Sequence, residues 1–184
     1  MIVKAVFLDR DGVINRRIPG DYVRHPDEFA LLEGVAEAIR LFRQSFDCIF
    51  IATNQQGIGK GRMTVADLDH VHQYMLHLLE QQGATIDHIY FCPDLAHQQP
   101  NCRKPHPAMA FQAQKDYPEL NLQQSWMAGD SLSDLQFAWN AGMQPAMIAT
   151  NPEETEKLEA YLLSNPMPSP PIYTSLLEMA KAIK

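Results

Sequence analysis

The chain has 184 residues, of which 46% are hydrophobic and 20% charged, with a formal net charge of −7; this suffices for one domain with a proper core. An acidic balance, pI about 5.4, argues against a nucleic-acid-binding surface as the main design, and an anionic substrate must be drawn in by local positive charge. No apolar stretch approaches the ~20 residues that span a bilayer, and the opening MIVKAVFLDRDG lacks a signal-peptide layout; the expectation is a cytoplasmic monomer with no membrane or nucleic-acid partner.

Short β-rich apolar runs occur at Val3–Leu8, Cys48–Ala52, Ile89–Phe91, Trp126–Ala128 and Ala146–Ala149. Between them the apolar residues recur at helical spacing: Val35, Ile39 and Phe42, then Leu68, Val71, Met75 and Leu78. Further helices are predicted near Pro107–Lys115, Ser133–Asn140, Glu153–Leu163 and Thr174–Ile183. Gly34 and Gly142 punctuate helices, and Thr64 caps one. NPMPSPP, residues 165–171, reads as a surface connection to a last strand–helix pair. Strand alternating with helix predicts an α/β fold: a doubly wound parallel sheet in three α/β/α layers. The whole chain, 1–184, reads as one domain without a large cap. The longest irregular segments, 13–33 and 92–106, are the ones expected to contribute to a site.

In such sheets ligands bind beyond the carboxyl ends of the strands. The tips carry Asp9-Arg10-Asp11-Gly12, Thr53-Asn54-Gln55 and Gly129-Asp130-Ser131, with Asp134 one helical turn on. Cys102-Arg103-Lys104-Pro105 directly precedes a helix and joins the same edge. Carboxylates at Asp9, Asp11, Asp130 and Asp134 repel unless a cation intervenes. Mg²⁺ takes oxygen ligands and suits that role. Thr53, Asn54, Arg103 and Lys104 supply donors and charge for an anion. Metal, anion cradle and spare carboxylate together describe phosphoryl transfer.

Four stretches in order, LDRDGVIN, ATNQQGIGKG, CRKPHP and GDSLSD, resemble the haloacid dehalogenase superfamily of aspartate-nucleophile phosphatases. Within it the chain is similar to the branch containing D-glycero-D-manno-heptose 1,7-bisphosphate phosphatase and the histidinol-phosphatase domain. The resemblance covers most of residues 3–150. It implies Asp9 as nucleophile and Asp11 as the acid and base. It implies Mg²⁺ held by the Asp9 side chain, the Asp11 backbone carbonyl and the Asp130 side chain. Thr53 and Lys104 would bind the transferring phosphoryl group, Asn54 and Arg103 the substrate, and Asp134 would orient Lys104 or the metal shell. The implied substrate is a sugar bisphosphate, chosen by short loops around Arg16–Tyr22, Asn54–Lys60 and Arg103; the loop NRRIPGDYV departs from the family by an apparent inserted residue.

The resemblance also brings a structural zinc loop, Cys-x-His followed by Cys-x-Cys. Here Cys92 and Cys102 match, Asp94 stands for the first His and Pro100 for the third Cys, with His97 within reach as a substitute. Structural zinc prefers four Cys/His ligands, so this set is short. Three cysteines, Cys48, Cys92 and Cys102, argue against a disulfide framework. The histidines His70, His72, His77 and His88 read as a solvated face. Competing readings fare worse. An EF-hand fails because its fifth, sixth and twelfth positions hold Val13, Ile14 and Gly20. GIGKG lacks the Walker spacing. A histidinol phosphatase, a polynucleotide 3′-phosphatase and a non-catalytic phosphate-binding module remain as alternatives to the sugar bisphosphatase.

Overall fold

The computed structural model describes residues 2–183. Six strands form one parallel sheet: β1 Ala5–Leu8, β2 Cys48–Asn54, β3 His88–Cys92, β4 Trp126–Gly129, β5 Gln144–Ile148 and β6 Ile172–Tyr173. Their spatial order is β3-β2-β1-β4-β5-β6. Parallel neighbours need crossovers, and these are the helices: α1 Val35–Phe42, α2 Gln56–Gly59, α3 Val65–Glu80, α4 Ala108–Asp116, α5 Leu132–Ala141, α6 Pro152–Ser164 and α7 Leu176–Ala182. The predicted α/β architecture is what forms, with each element within a few residues of its expected bounds.

Strand periodicity builds the three layers. Val6, Leu8, Ile49 and Ile51 point to one face, where they pack with Val35, Ile39 and Phe42 of α1, Val71 and Met75 of α3, and Met179 of α7. Ala5, Phe7, Phe50 and Ala52 point to the other, against Met109 and Ala113 of α4 and Phe137 and Ala138 of α5. Both faces are covered, so β1 is apolar throughout and β2 is apolar up to its polar tip, Thr53-Asn54. The Phe7 and Phe50 rings lie 5.1 Å apart at the centre of the second layer.

The α3 stripe is rotated slightly from the expected one. Leu79, not Leu78, is fully buried, with Leu78 half-buried beside it. His72 also turns inward instead of joining the solvated face: it is 6% exposed. Thr64 caps α3 as predicted, through a capping box with Asp67: Asp67 N donates to Thr64 Oγ1 (3.1 Å) and Thr64 N to Asp67 Oδ2 (2.8 Å). GIGKG contributes the single-turn helix α2.

The strand order reverses direction between β1 and β4. Helices leave to opposite faces there, which opens a crevice at the carboxyl tips of those two strands. Those tips carry Asp9 and Asp130.

Candidate active site

β1 ends in a tight reversal. Ile14 N and Asn15 N both donate to Arg10 O (2.9 and 3.1 Å), and Gly12 N donates to Asn15 O (2.7 Å). Gly12 has φ +100°, and a Cβ there would stand 2.0 Å from Asp130 Oδ2. Only glycine lets the β1 and β4 tips approach this closely. The same holds one strand over: a Cβ on Gly129 would lie 2.1 Å from Asp134 Cβ. These two glycines allow three buried carboxylates, Asp9, Asp130 and Asp134, to bring oxygens within 4.8 Å of one another.

Lys104 answers part of that charge. It is 3% exposed. Its Nζ donates to Asp9 Oδ1 (2.8 Å) and Ala52 O (2.7 Å) and pairs with Asp134 Oδ1 (2.5 Å). Two of its three N–H bonds thus have acceptors, and Asp134 Oδ1 faces the ammonium as an ion-pair partner. Burial would lower its pKa, but Asp134 and Asp9 outweigh that and keep it protonated. Asp134 serves two masters, since its Oδ2 also accepts from Ser131 N (3.1 Å) and Ser131 Oγ (2.6 Å) at the start of α5. The Lys104 ammonium is thereby locked to the helix that follows β4. Burial pushes the Asp9 pKa up, against the Lys104 charge, and also pushes Asp130 up, reinforced by Asp9. Buried carboxylates that raise one another's proton affinity fit a divalent cation, the donor set being oxygen throughout.

Asp11 lives in a different environment. Arg10, fully buried, donates through Nη2 to Asp11 Oδ2 (2.7 Å) and Oδ1 (2.9 Å). Asn15 Nδ2 (2.9 Å) and Gln55 Nε2 (3.1 Å) add two more donors. Burial would raise the Asp11 pKa, but the Arg10 charge and these hydrogen bonds hold it below the usual carboxylate range. Behind Arg10 lies His72, whose Nε2 is 3.2 Å from Arg10 Nη1. Burial, then the guanidinium, push His72 down to about 3, so it is a neutral acceptor for Arg10.

Thr53, Asn54, Arg103 and Lys104 converge with Asp9, Asp11 and Asp134 on one cavity of about 640 Å³, as the strand-tip reading expects. Thr53 is buried and its Oγ1 accepts from Gln55 Nε2 (3.1 Å). Asn54 is engaged with the chain itself: its Oδ1 accepts from Lys104 N (2.9 Å) and its Nδ2 donates to Lys104 O (3.3 Å). Asp130 lies beside this group and is paired with Arg17, Nη2 to Oδ1 2.6 Å. The two irregular segments both line the cavity, through Arg17–Val23 and Arg103–Lys104. Arg10 and Asn15 received no role from the sequence, Arg17 and Gln55 only a place in loops expected to select the sugar, and His72 a place on a solvated face. The quoted motifs contain Arg10, Asn15 and Gln55, but nothing in a motif tells that a guanidinium will be wholly buried.

The zinc loop takes a different form. Cys92 and Cys102 are joined by a disulfide, contrary to the reading of the cysteine count. That count excludes a framework of bridges; it does not stop one pair from meeting when a loop returns to the strand it left. Asp94 accepts from Cys102 N (2.9 Å), and Cys92, Asp94 and Cys102 cluster within ligand distance. His97 is exposed and outside that cluster. Bonded sulfurs are not free thiolates, and the described residues provide no fourth ligand, so this loop does not fit a structural zinc.

A parallel sheet with a buried carboxylate, a clamped lysine and a second carboxylate at its switch point is an arrangement suited to phosphoryl transfer. Comparison with known proteins makes that specific. The HAD-hydrolase-like family model matches residues 101–179. A D-glycero-alpha-D-manno-heptose-1,7-bisphosphate 7-phosphatase of Mycobacterium bovis is 41% identical over 146 residues, 79% of this chain and 77% of that protein. A D-glycero-beta-D-manno-heptose-1,7-bisphosphate 7-phosphatase of Neisseria meningitidis is 38% identical over 154 residues, 80% of this chain and 78% of that one. The crystal structure of a D,D-heptose 1,7-bisphosphate phosphatase from B. bronchiseptica, complexed with magnesium and phosphate, superposes with TM-score 0.84 at 32% identity and covers 97% of both chains. This chain belongs to the haloacid dehalogenase family, in the branch of these phosphatases. It is an enzyme, a hydrolase of phosphate monoesters.

Proposed function

We propose that the chain is a Mg²⁺-dependent phosphatase that removes one phosphate from a heptose 1,7-bisphosphate, acting as a single-domain cytoplasmic monomer. The carrying observation is that one cavity offers two places for an anion. At its floor are Asp9, Thr53 and Lys104; further out the same walls present Lys60, Arg103 and Lys157. A substrate with a phosphate at each end matches such a pair, and the relatives' names point the same way.

Asp9, Asp130 and the Asp11 backbone carbonyl would hold the Mg²⁺, which when bound neutralises charge on the transferring phosphoryl group. Lys104 and Thr53 donate to its oxygens. One Asp9 oxygen attacks phosphorus; the P–O bond to the sugar breaks and its electron pair stays on the leaving oxygen. Asp11 delivers a proton there, leaving an aspartyl-phosphate on Asp9. Asp11, now a carboxylate, takes a proton from water; the hydroxide attacks phosphorus, and the P–O bond to Asp9 breaks to return its carboxylate and release phosphate. The first half needs Asp11 protonated, although Arg10, Asn15 and Gln55 favour its anion. An arriving phosphate dianion supplies the opposing push, because a nearby like charge raises a carboxylate's pKa. Asn54 acts here mainly by holding the Lys104 backbone, with Arg103 left to meet the sugar or its second phosphate.

The test is phosphate release, with Mg²⁺, from the alpha and beta anomers of heptose 1,7-bisphosphate and from histidinol phosphate. Turnover of either bisphosphate at least about 10²-fold above histidinol phosphate in kcat/KM supports the reading, since specificity is that ratio. The reverse order would assign the chain to the sister activity.

A further inference from the structure

The guanidinium of Arg17 contacts two of the three groups assigned above to the metal. Its Nη2 donates to Asp130 Oδ1 at 2.6 Å and to Asp11 O at 3.0 Å, and its Nε to Asp11 O at 3.2 Å. Asp130 is almost fully buried, whereas the Arg17 side chain is 42% exposed. Burial opposes its charge, but Asp130, then Asp9, Asp134 and Asp11, hold the guanidinium firmly protonated.

We propose that Arg17 is a displaceable internal cation that competes with the divalent ion for Asp130 and the Asp11 carbonyl, and so sets the enzyme's metal affinity. The proposal rests on the Mg²⁺ reading of this site. Three observations support competition over cooperation. First, atoms are shared: a magnesium ion needs its oxygens at about 2.0–2.1 Å and in octahedral order, and two of the candidate ligand atoms, Asp11 O and Asp130 Oδ1, now accept Arg17 N–H bonds. Second, the surroundings are close: a Cβ on Gly12 would be 2.0 Å from Asp130 Oδ2 and 3.4 Å from Arg17 Nε, so the turn leaves little free space on that side of the pair. Third, Arg17 has somewhere to go. It lies outside the helices and strands, and it lines both the 640 Å³ cavity and an adjoining one formed with Arg16, Thr150 and Glu153. Thr150 Oγ1, which donates to Gly12 O (2.9 Å), stands 3.5 Å from Asp130 Oδ2 on the side of that adjoining cavity.

The consequence follows from linkage: an internal ligand that fills a site weakens the external one by the fraction of time it is seated. Without a divalent ion, Arg17 relieves the repulsion at Asp130. With the ion bound, the released guanidinium faces the cavity that takes the substrate's anions.

Calorimetric titration of Mg²⁺ into substrate-free wild type, Arg17→Met and Arg17→Lys decides the matter, with melting curves in EDTA and in Mg²⁺ run beside it. Arg17→Met should bind Mg²⁺ at least about 5-fold more tightly than wild type, the lower end of ordinary coupling between sites. It should also melt lower in EDTA and gain more from added Mg²⁺. Arg17→Lys, which keeps a positive charge, should stay nearer wild type on both. Equal dissociation constants for wild type and Arg17→Met, or weaker binding in the variant, would overturn the competition while leaving the metal site standing. Mg²⁺ binding that is absent from all three proteins, or that survives Asp130→Asn undiminished, would overturn the site itself and the proposal with it.

Discussion

Two cations face the same acidic cluster and are held in opposite ways. Lys104 is 3% exposed, hydrogen-bonded to Asp9 and Ala52, ion-paired with Asp134, and its own backbone is pinned by Asn54. Arg17, 42% exposed on a loop, reaches Asp130 and the Asp11 carbonyl from outside. The inner cation is part of the fold; the outer one is attached to it. The difference teaches that charge neutralisation at Asp9 is built in permanently, while at Asp130 it is left to a group that can exchange. A site that has to admit a metal and a dianion needs that asymmetry, because a wholly satisfied cluster would have no coordination to offer.

The largest effect should come from the carboxylate shared with the fixed side. Asp9→Asn should lower kcat by about 10³-fold or more, as loss of a nucleophile does elsewhere, with an unaltered circular-dichroism spectrum. Retained turnover would remove the nucleophile from the account. Next is Lys104→Met, which leaves Asp9 and Asp134 without their shared partner. Removing one member of a buried ion pair costs about 3–5 kcal/mol, read by urea unfolding, and phosphatase activity should be lost together with that stability. Arg17→Met, by contrast, should cost far less in the presence of Mg²⁺; equal losses for the two variants would erase the distinction between inner and outer cation. Asn54→Ala should be milder than Lys104→Met, about 1 kcal/mol for its hydrogen bonds, with kcat falling more than KM rises if Asn54 serves to hold Lys104 and not the sugar.

A further effect concerns pH. His72 is shifted from its usual 6.5 down to about 3 in the folded chain. Between those values the unfolded state binds the proton and the folded state does not, so stability rises with pH through this window. Its contribution is complete above 6.5 and is lost as pH falls toward 3, on the order of 1 kcal/mol per pH unit. His72→Gln should flatten the decline in melting temperature between pH 6.5 and 4; an unchanged slope would mean His72 is not buried neutral behind Arg10.

The strand tips were readable in advance because the parallel α/β pattern, by itself, sends every strand's carboxyl end to one edge. Asp9, Thr53 and Asp130 needed only that rule; Asp134 follows one helical turn past a tip, and Lys104 joins from the segment that precedes α4. Burial of charge was not readable. Arg10 and His72 look like surface residues in any window of sequence; what takes them inside is a partnership between residues 62 positions apart. The disulfide between Cys92 and Cys102 depends likewise on a loop returning to the end of β3, and Arg17's hold on Asp130 spans 113 positions. Periodicity reports which face of an element is apolar. It carries no record of which polar groups will meet across the fold.

The central claim is that Asp9 itself becomes phosphorylated. Acid quench of the enzyme during turnover of its bisphosphate substrate, followed by borohydride reduction and peptide mass spectrometry, tests this directly, since borohydride converts an acyl phosphate to an alcohol. The account predicts homoserine at position 9, dependent on substrate. Homoserine at another aspartate, or none during steady phosphate release with the acyl group demonstrably reducible in a control, would contradict it.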